Sequence, residues 1–242
     1  MMDDNSVIFC VHPITEDLRF LRRFIKRFKA RYPRRVRKLK LLNDRSSHAS
    51  CLALLSQTRN NLIIFLCHGH TGGILGCDYT GPRFDPAEHF DFGLLIDDSN
   101  VAVLAGKRVI AFCCYSNRIA EAAVNAGASV AIGFGSIRFD YVTNCEKGIT
   151  FKKLRATVKF EVRRFLYESI IHGLDRNLSF VQLVHHMRLL LNKRHREILS
   201  SRSKHRQEIA AILLEMKNDI KLFGDKNCPV SDQRLLPSQK SD

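Results

Sequence analysis

Along the chain, short unbroken apolar runs alternate with longer stretches in which apolar residues return every three or four positions. "SVIFCVHP" (6–13) predicts a buried strand ended by proline. "TEDLRFLRRFIKRFKARY" (15–32) follows, with Leu18, Leu21, Ile25, Phe28 and Tyr32 on one helical face, Thr15 placed to cap its start and Pro33 to stop it. "VRKLKLLND" (36–44) alternates charged and apolar residues like a half-exposed strand, and "SHASCLALLSQT" (47–58) reads as a helix. "NLIIFLCHG" (61–69) and "KRVIAFCCYS" (107–116) are apolar strands that stop abruptly on polar residues. Between them lie a glycine-rich turn, a polar loop and "FGLLIDDSNVAVLAG" (92–106). "RIAEAAVNAG" (118–127) predicts a helix closed by glycine, and "ASVAIGFGS" (128–136) a further strand.

The strands are apolar throughout rather than alternating, and helices separate them. That combination predicts an α/β fold with a largely parallel sheet covered on both faces. Past residue 150 the pattern turns helical, over 151–174, 178–201 and 205–224. The expected organisation is a first domain over 1–192, a basic helical extension over 193–224, and a disordered tail over 225–242, where the sequence is polar and proline-bearing.

Length and composition narrow the field. The 242 residues, 45% hydrophobic and 26% charged, suit one domain with an appendage and a sizeable core. No apolar run approaches the roughly 20 residues of a membrane span, and the acidic start "MMDDNSVIFC" has the wrong order for a signal peptide, so a cytosolic protein is expected. The eight cysteines then read as buried hydrophobes or reactive thiols rather than a disulfide framework. A net charge of +15 concentrates in "RFLRRFIKRFKARYPRRVRKLK" (19–40) and "NKRHREILSSRSKHRQ" (192–207). Such helices would attract nucleic acid, acidic headgroups or an acidic protein, or would simply be solvated faces; aromatics are not interleaved with them in an RNA-binding pattern.

In an open parallel sheet, sites form beyond the carboxyl ends of the strands. His68 and Cys114 both stand at such ends. A nearby imidazole favours the nucleophilic thiolate. Gly69 lets its backbone N–H approach a substrate carbonyl, and with the N–H of Cys114 it would form an oxyanion hole. Taken singly, either residue reads as an ordinary strand end. Cys67, His68, His70 and Cys77 do not match the ligand spacing of structural zinc sites, so no metal is expected. "HGHTGG" lacks the residues of a nucleotide-binding turn, and His185, His186 and Met187 fall on a helical apolar stripe.

An apolar strand ending in His-Gly, then one ending in Cys-x-Ser, resembles the caspase-like cysteine peptidases, and most closely their CHAT branch, related to separase and gingipains. The resemblance runs through "VIAFCCYSNRIAEAAVNAGASVAIGFGSIRFD" (109–140) and "FLYESIIHGLDRNLSFVQLVHHMRLLL" (165–191) and covers about residues 60–192. It implies a caspase-like three-layer sandwich with a mostly parallel central sheet, followed here by C-terminal helices. His68 resembles the general base, Cys114 the nucleophile, Gly69 the oxyanion-hole glycine, and Ser116 the serine whose hydroxyl holds the turn or borders the substrate pocket. Asp140 is the nearest carboxylate for a pocket with a basic preference. Asn117 replaces the usual glycine, in a turn that asparagine tolerates in a left-handed conformation.

What the resemblance implies is a cysteine endopeptidase without cofactor, acting on a protein substrate and recruited or activated by a protein partner, as in bacterial immune systems where a sensor switches the protease on. "DYTGPRFDPAEHFDFG" (78–93) is the candidate loop for a partner to order. Two alternatives stand beside it: a catalytically silent adaptor, and a nucleic-acid-binding regulator that uses the basic helices.

Overall fold

The computed structural model describes residues 7–42, 44–76, 93–137 and 149–231, with side chains of the last segment from 152 onward. Six strands form the main sheet: β1 (Ile8–Pro13), β2 (Val36–Leu41), β3 (Leu62–Leu66), β7 (Arg108–Phe112), β8 (Val130–Gly133) and β9 (Lys221–Gly224). Their spatial order is β2-β1-β3-β7-β8-β9, parallel throughout except that β9 runs antiparallel to β8. The four inner strands are buried along their whole length, which is why their sequences are unbroken apolar runs. The two edge strands are half exposed, matching the charged alternation of β2.

Helices cover both faces. One face carries α1 (Arg22–Arg31), α4 (Ile149–Asp175), α5 (Phe180–Leu199) and α6 (Arg206–Asp219), whose buried residues share a core with Ile64, Ile110 and Ile132. The other carries α2 (Arg45–Gln57) and α3 (Asn117–Asn125), packed on Ile63, Phe65 and Val109. The alternating inward and outward faces of each strand thus divide the apolar residues between two cores.

Three expected elements change their bounds. The helix predicted over 15–32 begins late, as a 3-10 turn at Arg19–Leu21 leading into α1, and Thr15 does not cap it. Residues before that point turn instead, because the Asp17 carboxylate accepts the N–H of Leu18 at 3.0 Å. The strand predicted over 61–69 breaks at Cys67: beyond it β4 (His68–His70), β5 (Gly73–Leu75) and β6 (Leu94–Ile96) form a separate antiparallel sheet, and the glycine-rich segment is its hairpin turn. The last predicted helix ends at Asp219, since "KLFG" supplies the ninth strand by pairing with the open edge of β8.

Of the tail expected to be disordered over 225–242, residues 232–242 lie outside the described residues. Residues 225–231 are ordered against the fold: the N–H groups of Phe180 and Val181 donate to the carbonyls of Cys228 and Lys226, and Arg108 reaches the Pro229 carbonyl at 3.1 Å. The division expected between residues 192 and 193 falls inside α5, and β9 places the extension's last residues in the central sheet. Among the described residues no helix is long and apolar enough to cross a membrane.

Candidate active site

Register brings the two strand ends together. β3 and β7 are neighbours in which Leu66 pairs with Phe112, so His68 and Cys114 each lie two residues beyond the last paired position. The hairpin that starts at His68 then folds over the turn that follows β7. Its Gly69 lies so close to Cys114 that a Cβ there would sit 1.8 Å from the Cys114 carbonyl oxygen and 2.9 Å from its nitrogen. Glycine is required at 69 by contact rather than by backbone angle.

His68 has a partner the sequence did not disclose. Its Nε2 lies 2.7 Å from Oδ2 of Asp17, on the turn after β1, the strand on the far side of β3 from β7. Burial opposes the charge on Asp17, yet the hydrogen bonds from the His68 ring and the backbone hold its carboxyl well below the usual carboxylate range. An ionised Asp17 accepts from Nε2–H, which fixes the tautomer and leaves Nδ1 as the basic nitrogen. The Asp17 carbonyl in turn accepts from Lys159 Nζ at 2.8 Å, tying the turn to α4. No pattern around Asp17 marks it in the sequence; only the strand order β1-β3-β7 makes it a neighbour of His68.

The cysteine turn is laced to the segment after β8 in three rungs. Ser116 Oγ accepts the Phe134 N–H at 2.9 Å and donates to the Ala111 carbonyl at 2.6 Å, Tyr115 N–H donates to the Gly135 carbonyl at 2.9 Å, and Cys114 Sγ–H donates to the Ile137 carbonyl at 3.4 Å. Ser116 is buried and its hydroxyl is committed to the turn, so it does not line a pocket. The left-handed residue is Tyr115, with φ 54°, whereas Asn117 is the first residue of α3 and donates its amide to the Asp219 carbonyl at 3.0 Å. A positive φ at a tyrosine is strained by about 1 kcal/mol or more, and it presents Cys114 at the apex of the turn, half exposed.

Arg118, a residue the sequence reading passed over, clamps the hairpin. From α3 its Nε and Nη2 donate to the carbonyls of Thr71 and Gly72, each at 2.6 Å, and its Nη1 reaches both carboxylate oxygens of Asp98 at 2.7 and 2.8 Å. Charge at the start of the helix after the cysteine was the available signal. His70 accepts the Gly72 N–H at 3.0 Å and serves the same turn. Beneath the site, His12 is fully buried with Nδ1 3.1 Å from the Leu66 carbonyl, and burial pushes its pKa down to about 4.

The remaining candidates separate. Cys67 is buried, with its Sγ 3.6 Å from the Val11 carbonyl, and burial drives its thiol well up in pKa. It does not share a site with His68. Asp140, Cys77 and most of the 78–93 loop lie outside the described residues. Among the described residues no group of three or more histidine, cysteine or acidic side chains could hold a metal ion.

No protein-family model matches the chain, and no curated protein matches it.

Proposed function

We propose that the chain is a cysteine endopeptidase with a caspase-like fold, in which Cys114 and His68 carry the chemistry and Asp17 orients the base. The observation that carries this reading is the Asp17–His68 pair at 2.7 Å on a hairpin whose Gly69 packs against the backbone of Cys114. Ordinary strand ends need neither a carboxylate on the imidazole nor a glycine jammed against a thiol-bearing turn.

In the proposed reaction His68 Nδ1 takes the Cys114 proton, and the sulfur forms a bond to the scissile carbonyl carbon. The N–H groups of Gly69 and Cys114 stabilise the oxyanion, an interaction that contributes about 3 kcal/mol in comparable sites. The C–N bond breaks as His68 returns the proton to the leaving amine. Water, deprotonated by the same nitrogen, then hydrolyses the thioester. Asp17 stays ionised and holds the ring. The role extends to a regulated protease that acts on a protein target and answers to a protein partner.

One observation favours a silent adaptor instead: the Cys114 thiol donates to the Ile137 carbonyl. Catalytic hydrogen bonds are often loose before substrate binds, so this contact is compatible with either state. A thiol-directed acyl probe separates them. Labelling that disappears in both Cys114→Ala and His68→Ala supports the peptidase, and labelling indifferent to His68 supports the adaptor.

A further inference from the structure

The basic stretch over 19–40 finds its aromatic partners in space. Between α1 and α4 runs a groove of about 370 Å³ lined by Phe24, Arg27, Phe160, Arg163, Tyr167 and the Arg164–Glu168 pair. Arg27 stacks over the Tyr167 ring at 4.1 Å, and Arg163 lies 5.6 Å from the Phe160 centroid. The Phe160 ring is 47% exposed at the groove's rim, a costly place for a phenylalanine on an otherwise charged helix face.

The charge is unbalanced. The groove's one carboxylate, Glu168, bonds Arg164 at 2.6 Å, and among the described residues no carboxylate forms an ion pair with Arg23, Arg27 or Arg163. Burial and the like charges of Arg23 and Arg27 bear on Arg163 together, so three guanidiniums repel one another here, and among the described residues Glu168, already bonded to Arg164, is the carboxylate lining the groove. Clustered arginines recover that cost when an anion enters, and guanidinium planes laid on aromatic rings offer flat surfaces on which a base can stack.

We propose that this groove binds a nucleotide unit, its phosphate held by Arg27 and Arg163 and its base stacked against Phe160 and the arginine–tyrosine layer. A volume of about 370 Å³ suits one such unit. Guanidiniums paired with aromatic faces are the combination used to hold single strands. The same unit is presented by a free nucleotide or by one residue of a single-stranded nucleic acid. This site is separate from the thiol chemistry and stands or falls without it.

The test uses the full chain and a fluorescently labelled oligouridine, with binding read by anisotropy over a salt series. Arg27→Ala with Arg163→Ala weakens binding about tenfold or more, and Phe160→Ala at least about fivefold, at unchanged denaturation midpoints. Arg202→Ala with Lys204→Ala, which removes equal charge from the other basic stretch, leaves affinity within about twofold. Displacement of the strand by uridine monophosphate assigns the site to free nucleotides; resistance to it assigns the site to the polymer. Absence of binding at low salt overturns the proposal, and so does binding that both charge-removing pairs weaken alike while Phe160→Ala does not.

Discussion

His68 Nε2 and Asp17 Oδ2 lie 2.7 Å apart although 51 positions separate them, because the turn after β1 and the hairpin after β3 leave the sheet side by side. In the proposed reaction this pair commits Nε2 to Asp17 and leaves Nδ1 to act as the base. Asp17→Asn removes the charge while keeping the shape, and lets Nε2 become the acceptor. Probe labelling of Cys114 should fall by about 10² or more at neutral pH. A purely structural Asp17 would instead leave the labelling rate near that of the wild type once the protein is folded. Because the Asp17 carboxyl is held below its ordinary range, its contribution to stability is present at neutral pH and is lost as the pH falls through that depressed value.

Gly69→Ala places a methyl where the Cys114 carbonyl oxygen already stands, at 1.8 Å. The obstacle is backbone on both sides, so the hairpin must lift away from the cysteine turn. Chemical denaturation should show a loss of about 1–3 kcal/mol, and probe labelling should disappear even though both His68 and Cys114 remain. Labelling at wild-type rate would mean that the hairpin does not have to close on the turn.

His12 gives a pH dependence of its own. In the unfolded chain it titrates near 6.5; in the folded protein burial depresses it to about 4. Below pH 6.5 the unfolded state therefore takes up the proton first, and stability falls as the pH drops toward 4, by on the order of 3 kcal/mol. Urea denaturation at pH 7 and pH 5 measures the slope. His12→Asn should be less stable at pH 7 and flatter between the two.

The strands and helices were legible because burial on both faces writes itself as unbroken apolar runs, and His68 and Cys114 were legible because each ends one of those runs. Asp17 was not. Its significance comes from the spatial order of three strands, which no local period encodes. Nor was the break at Cys67: the apolar run stops there, but no local period tells that His68–His70 goes on as a strand of a different sheet. Tyr115 shows a different limit: the left-handed residue of the turn is one that propensity disfavours, held there by the rungs from Ser116 to Phe134 and from Tyr115 to Gly135. "KLFG" was too short, and too close to a helix, to announce an edge strand.

Arg118 acts through the hairpin. Its bonds to Thr71 and Gly72 fasten β4 and β5 over the cysteine turn, while its pairing with Asp98 is exposed and worth little to stability. Arg118→Ala should lower the unfolding free energy by no more than about 1 kcal/mol, yet hydrogen exchange in residues 68–75 should quicken and probe labelling should slow. Arg118→Lys, which keeps the charge but not the three spread donors that serve Thr71, Gly72 and Asp98, should resemble alanine more than wild type.

Arg194 lies in the basic stretch over 192–207, but its guanidinium is spent inside the protein. It forks onto Glu161 of α4 at 2.7 and 2.8 Å, with side chains 15% and 5% exposed, and also bonds Glu197. Glu161→Ala leaves that buried charge with only a half-exposed partner and should cost about 3–5 kcal/mol. Replacing Glu161 and Arg194 together by methionine should recover most of the loss, because the pair's desolvation is then removed as well. The double replacement should also leave oligouridine affinity unchanged. If it weakened the strand as much as the Arg27 and Arg163 replacements do, the polyanion surface would extend across α5 and the groove between α1 and α4 would not be its centre.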